Sequence, residues 1–242
     1  MNTNQPHPPP GGRLNPFELA VWETCKIVDA WTDVGTAKMP VIPTRLRLAN
    51  REHVFIPESA GEVRYWGAPG DGTYRRADYT DAIGISSMND VKYAQFGLAL
   101  TNHWREKRAR ADAQPRWMRR GTPGAEALII TNQRVHVDLG DTHHIDFRYH
   151  VFTTIDLPGY TTFHVTLPST TGQQLTYRLE TVWAPLIFIM AAMRFFRSHP
   201  LLLNGQWLPS GIEQYLETLG HPCPPARQYA NQWVQNRKST PQ

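Results

Sequence analysis

Five histidines, His136, His143, His144, His150 and His164, fall within thirty residues and close to Asp138, Asp141 and Asp146. Imidazole and carboxylate are zinc-type ligands, but a metal site needs three or four of them converging at about 2.0–2.2 Å, usually from spacings such as HxH or HExxH. Neither spacing occurs. His143 and His144 are adjacent and would face opposite sides of an extended chain, whereas His136 and Asp138 share one face, most simply the solvated side of a sheet. No metal ligand is therefore assigned, and a metal-dependent enzyme working from this histidine-rich face is kept as the lesser alternative.

Nucleophilic and phosphate-binding chemistry have less to rest on. GxSxG, GxGxxG and GxxxxGK[ST] are all absent. Cys25 falls on the apolar stripe of an expected helix and reads as a small hydrophobe. Cys223, in HPCPP, is expected to be exposed beside His221 without an orienting third group. The sequence thus yields no catalytic residue and no cofactor, and an enzyme is not the expected class.

The densest charge lies in HWREKRARADAQPRWMRR. Residues 101–120 carry Arg105, Lys107, Arg108, Arg110, Arg116, Arg119 and Arg120 against Glu106 and Asp112, a local net of +5 in a chain whose total is +4. Basicity is therefore a property of one segment. Interleaved with Trp104 and Trp117, these cations could hold an anionic lipid surface or a phosphate backbone. The plain alternative is a solvated helix end whose tryptophans pack and whose arginine stems cover apolar surface.

What positions these groups follows from pattern. The chain has 242 residues, 40% of them hydrophobic, which suffices for a substantial core. Two isolated cysteines argue against a disulfide framework and point to a reducing cytoplasm. No export signal opens the chain, and its longest apolar run, 182–193, would make a helix of roughly 18 Å, too short to cross a bilayer.

Residues 1–13 read as a disordered Pro/Gly tail. An N-terminal helical piece follows over 14–35, its helix expected at about 16–31 with Asn15 as cap and Glu18 reaching back. From residue 39 short strands alternate, at 44–48, 53–56 and 62–66, with turn chemistry at 67–74. A helical insertion spans 86–120, its helix at about 87–111. Strands then follow at 126–131, 134–139, 146–154, 160–167 and 174–179, favouring an antiparallel meander. A helix over 181–197 with Pro185 in its first turn should end by Pro200. It is apolar nearly all round, so either both of its faces are covered by the rest of the chain or it self-associates. Residues 201–242 form a C-terminal extension with a short helix at 210–219 and a proline-rich tail.

The sharpest local pattern is LIITNQRVHV, residues 128–137. Thr131-Asn132-Gln133-Arg134 reads as a two-residue hairpin connection of the I′ type, for which Asn tolerates the required positive φ, with Thr131 and Arg134 facing each other at the strand ends. This stretch resembles the hairpin of bacterial pleckstrin-homology-like and GRAM-like domains, matching at Thr131, Asn132 and Arg134. IDLPGYTTFHVTL and TVWAPLIFIMAAMRFFRSHP resemble the later strands and capping helix of the same fold, and PVIPTRLRLANREHVFIPESAGEVRYWG resembles the first strands of uncharacterised actinobacterial proteins with this hairpin. The resemblance covers about 39–200. It implies an α+β, mainly antiparallel β domain: a pleckstrin-like barrel or curled sheet closed by a C-terminal helix, here with an inserted helix and terminal helical additions. It names no ligand, so function must come from sites. The expectation is a non-catalytic cytoplasmic binding or scaffold module contacting a protein or an anionic surface through the insertion, with a nucleic-acid-associated accessory protein as the alternative.

Overall fold

A computed structural model describes residues 12–34, 41–68, 105, 107–119, 126–140, 143–169 and 171–238. The expected tail over 1–11, the turn residues 69–74, the helix over 87–104, Trp104, Arg120 and Asp141 lie outside these. The chain divides into two compact units, one of residues 1–64 with 119–242 and one of residues 65–118.

Helix α1 spans Pro16–Val34. Its start is the expected capping box: Asn15 Oδ1 accepts the Glu18 amide at 2.9 Å, and Glu18 Oε2 accepts the Asn15 amide at 2.8 Å. Ala20, Val21, Thr24, Cys25 and Val28 form its buried stripe. The strands are β1 Val54–Ala60, β2 Glu62–Gly67, β3 Arg116–Arg119, β4 Ala127–Thr131, β5 Arg134–Asp138, β6 His144–Arg148, β7 Thr154–Gly159, β8 Thr162–Pro168 and β9 Gln174–Glu180. They form two antiparallel sheets, of order β1-β4-β5-β6 and β3-β2-β9-β8-β7, and among the described residues they do not close into one barrel. The β1-β4 ladder slips between Ile56 and Ser59, across Pro57, and the β7-β8 ladder slips between Asp156 and Gly159, across Pro158. Proline has no amide to give a ladder, so these two slips fall where a bond is missing; a further β1-β4 slip, between Val54 and Ile56, spans no proline.

Three expectations are corrected and one further helix is added. Residues 44–48 form no strand: their burial alternates as in an extended chain, yet they join no ladder. The strand expected over 146–154 is two strands in different sheets. Between them a 3-10 turn, Tyr149–Val151, sinks Tyr149 into the core, where its hydroxyl donates to the Thr131 carbonyl at 3.1 Å. Alternation cannot reveal such a crossing, because side chains keep alternating on both sides of it. Helix α3, Ala184–Phe195, stops before Pro200, which opens a further short helix, α4, Pro200–Leu203; a proline at the first helical position gives up no bond. Finally, beyond α5, Ile212–Thr218, the expected proline-rich tail contains helix α6, Ala226–Lys238. Ala226, Ala230 and Val234 recur every four residues and are buried. Helical residues 107–113, here α2, precede β3.

Residues 184–193 of α3 are all buried. The helix touches β7, β8, α1 and α6, so the chain's own strands and terminal helices together cover an apolar element. Fully burying such side chains contributes roughly 1.5–3 kcal/mol each. None of the helices among the described residues is long and apolar enough to cross a membrane.

Candidate functional site

The Thr131–Arg134 connection is a clamped structural knot. Among the described residues Arg51 alone of the non-glycines has positive φ, so Asn132 is not in the I′ conformation expected of it. Thr131 supplies the turn: its Oγ1 accepts the amides of Gln133 at 3.0 Å and Arg134 at 2.9 Å, a side-chain mimic of a backbone turn. Asn132 is buried and tied to the preceding loop. Its amide donates to the His53 carbonyl, its Oδ1 accepts the His53 amide at 2.8 Å, and its Nδ2 donates to the Arg51 carbonyl at 2.9 Å. Its own carbonyl accepts Nη1 of Arg194, from α3, at 2.6 Å.

Arg134 is the hub. Nε meets Glu52 Oε1 at 2.8 Å, Nη1 meets Asp146 Oδ2 at 2.5 Å, and Nη2 donates to the Arg47 carbonyl at 2.9 Å. The Glu52 side chain is 1% exposed, and its oxygens also accept the Thr131 hydroxyl and the Ala49 amide. Burial works against the guanidinium's charge, but the hydrogen bond to Glu52 and the charges of Asp146 and Glu52 outweigh it and hold the pKa above the ordinary arginine value. Burial likewise works against the Asp146 carboxylate, yet the hydrogen bond from His136 and the charge of Arg134 hold its pKa below the ordinary aspartate value. Glu52 escaped the sequence reading because it lies about eighty residues away.

The histidine-rich face is partly assembled. His136 Nδ1 lies 2.7 Å from Asp146 Oδ1, and its ring is 5.1 Å from that of His144. Asp138 is taken by Arg45 at 2.9 Å and by the Gly140 amide. His164 stands apart on β8, opposite Arg178; burial and Arg178 push its pKa down. Among the described residues no three His, Cys, Asp or Glu side chains are placed to hold a metal ion. His136 and Asp146 instead extend the Arg134 network.

In the cationic segment, Arg105, Lys107, Arg108, Arg110 and Arg116 are all exposed. Arg119 is used otherwise: it grips the buried Glu126 through Nε at 3.2 Å and Nη2 at 2.7 Å, and lies 3.7 Å from Glu62. Trp117 meets Trp66 edge-on at 5.3 Å, leaving Trp66 48% exposed.

Beside the knot opens a pocket of about 270 Å³, lined by Arg47, Glu52, Gln133, Arg134, Arg148 and His150 among others. Arg148 sits directly across the ladder from Arg134. Like charges so placed are unfavourable unless neutralised. Glu52 and Asp146 neutralise Arg134, while the Arg47 and Arg148 guanidinium groups and the His150 ring have no partner among the described residues. The pocket is thus a cationic rim over a neutralised floor, suited to an oxyanion that accepts from two guanidinium groups. Only the hairpin register and the 47–52 loop bring these residues together, so no linear motif announces them.

Compared with known proteins, the chain matches no family model and no curated protein.

Proposed function

We propose that this chain is a non-catalytic binding module of pleckstrin-like outline whose partner presents an anionic group. The outline is supported by two three-stranded meanders, β4-β5-β6 and β7-β8-β9, followed at once by an apolar helix. The binding reading is carried by one observation, the unneutralised Arg47 and Arg148 at the rim of a pocket whose other charges are balanced internally. A charge-assisted hydrogen bond contributes roughly 1.5–3 kcal/mol. Titration with inorganic phosphate and with citrate, at constant ionic strength against chloride, should show saturable binding. Combining Arg47→Ala with Arg148→Ala should raise Kd at least about tenfold, the equivalent of ~1.4 kcal/mol. Indifference to the two anions would sink this reading.

A second contact is favoured by a separate observation: exposed cations over 105–116 accompany the half-exposed Trp66–Trp117 pair. Cations beside interfacial tryptophans suit an anionic lipid surface, where each cation contributes about 1 kcal/mol. Co-sedimentation with vesicles should rise with anionic lipid content. Binding that ignores lipid charge but falls steeply with salt on DNA or RNA would favour the nucleic-acid alternative.

A further inference from the structure

Cys25 and Cys223 are the chain's two cysteines and stand almost two hundred residues apart. The fold brings them together. Trp22, one turn before Cys25 on α1, donates its indole N–H to the Pro222 carbonyl at 3.0 Å, and its ring meets His221 edge-on at 5.3 Å. Residues three apart share a helix face, so Cys25 faces the same segment, and the two thiols lie close enough to influence one another's ionisation. The segment is held from further points. The Gly12 amide donates to the Leu219 carbonyl at 3.0 Å, His221 Nε2 donates to the Gly12 carbonyl at 3.0 Å, and the Tyr215 hydroxyl donates to Glu18 at 3.1 Å.

The pair is asymmetric. Cys25 is fully buried, whereas Cys223 is half-buried rather than exposed as the sequence suggests. The neighbouring Cys223 thiol, and then burial, push the Cys25 thiol up; Cys25 in turn holds Cys223 below the ordinary cysteine value, with Arg227 adding to the effect and burial and Glu213 opposing it. The more accessible sulfur is also the one favoured as thiolate, which is the nucleophilic form.

We propose that Cys25 and Cys223 form a peroxide-reactive thiol pair, in which Cys223 is oxidised first and Cys25 resolves it to a disulfide joining α1 to the segment before α6. The Cys223 thiolate attacks one peroxide oxygen: an S–O bond forms, the O–O bond breaks, and hydroxide leaves as water after taking a proton. The sulfur is oxidised by two electrons to a sulfenic acid and the peroxide is reduced. Cys25 then loses its proton and attacks that sulfur, forming the S–S bond and releasing a second water, so two thiols and one hydrogen peroxide give one disulfide and two waters. This site is independent of the anion-binding reading.

The test exposes the full chain to hydrogen peroxide, alkylates remaining thiols and maps non-reduced tryptic peptides by mass spectrometry. Wild type should give one cross-linked species joining peptides 14–26 and 198–227, within monomeric protein, and its Tm should rise by several degrees because the link closes a long loop. In Cys25→Ser, Cys223 should be trapped by dimedone; in Cys223→Ser, Cys25 should stay alkylatable only after unfolding. Two free thiols in peroxide-treated wild type, a Cys223 sulfinic acid in place of the cross-link, or a link between chains would each overturn the proposal, and the wild-type map decides this without either variant.

Discussion

Two arginine-rich regions of this molecule use the same side chain in opposite ways. Around the Thr131–Arg134 knot, Arg134 lies among two carboxylates and a carbonyl, with 13% of its side chain exposed. Over 105–116, Arg105, Lys107, Arg108, Arg110 and Arg116 stand in solvent. Arg119, at the end of β3, belongs to the first kind, because it pairs with the buried Glu126. The difference teaches that charge density in a sequence does not locate a site. A guanidinium buried against carboxylates that the fold supplies is structural, and an exposed one can face a partner. The pocket beside the knot joins the two kinds, with Arg134 satisfied below and Arg47 and Arg148 unsatisfied above.

The comparison breaks most visibly if the paired region is opened. Glu52→Ala deprives Arg134 of its best partner, removes one acceptor of the Thr131 hydroxyl and leaves the Ala49 amide unmatched. Removing one member of a buried ion pair costs about 3–5 kcal/mol. Urea unfolding should therefore show a large fall in midpoint at unchanged m-value, and a change below ~1 kcal/mol would remove Arg134 from the structural class. A smaller effect comes from pH. The Asp146 pKa is lowered in the fold, so its ionised form contributes stability that is present above the ordinary aspartate pKa and is lost as pH falls through the folded value. Wild type should lose stability on acidification through that range more steeply than Asp146→Asn, which keeps a hydrogen-bonding side chain but cannot ionise. Parallel curves for the two proteins would show that Asp146 is not coupled to Arg134 and His136.

Local signals told in advance what local physics decides. The Asn15–Glu18 cap, the apolar stripe of α1, strands β4, β5, β8 and β9 and helix α3 were readable because period and capping chemistry specify them. The I′ turn was misread because Thr131, not Asn132, sets the backbone, and the competing side-chain turn has the same composition. Helix α6 was hidden because Pro222, Pro224 and Pro225 give its approach the texture of a tail, while its buried face is made of only two alanines and a valine, with Trp233 beside them. The anion pocket and the thiol pair were illegible for another reason. Each is assembled from residues that only tertiary structure brings together, Arg47 with Arg148 and Cys25 with Cys223, and no spacing encodes that meeting.

The smallest expected effect on stability tests the exposed region. Arg108 and Arg116 carry no ion pair among the described residues, so replacing both with alanine should change unfolding free energy by no more than about 0.5 kcal/mol, as for surface positions generally. Their contribution to binding should be measurable all the same. A cation near an anionic surface loses about 1 kcal/mol on removal, and salt screens what remains over about 8 Å at physiological ionic strength. The double variant should therefore leave the thermal transition in place while weakening vesicle association several-fold, with the gap closing as salt is raised. Loss of stability in that variant would move these arginines into the same class as Arg134 and Arg119. Intact stability with unchanged vesicle binding would leave the pocket at Arg47 and Arg148 as the surface through which the module meets anions.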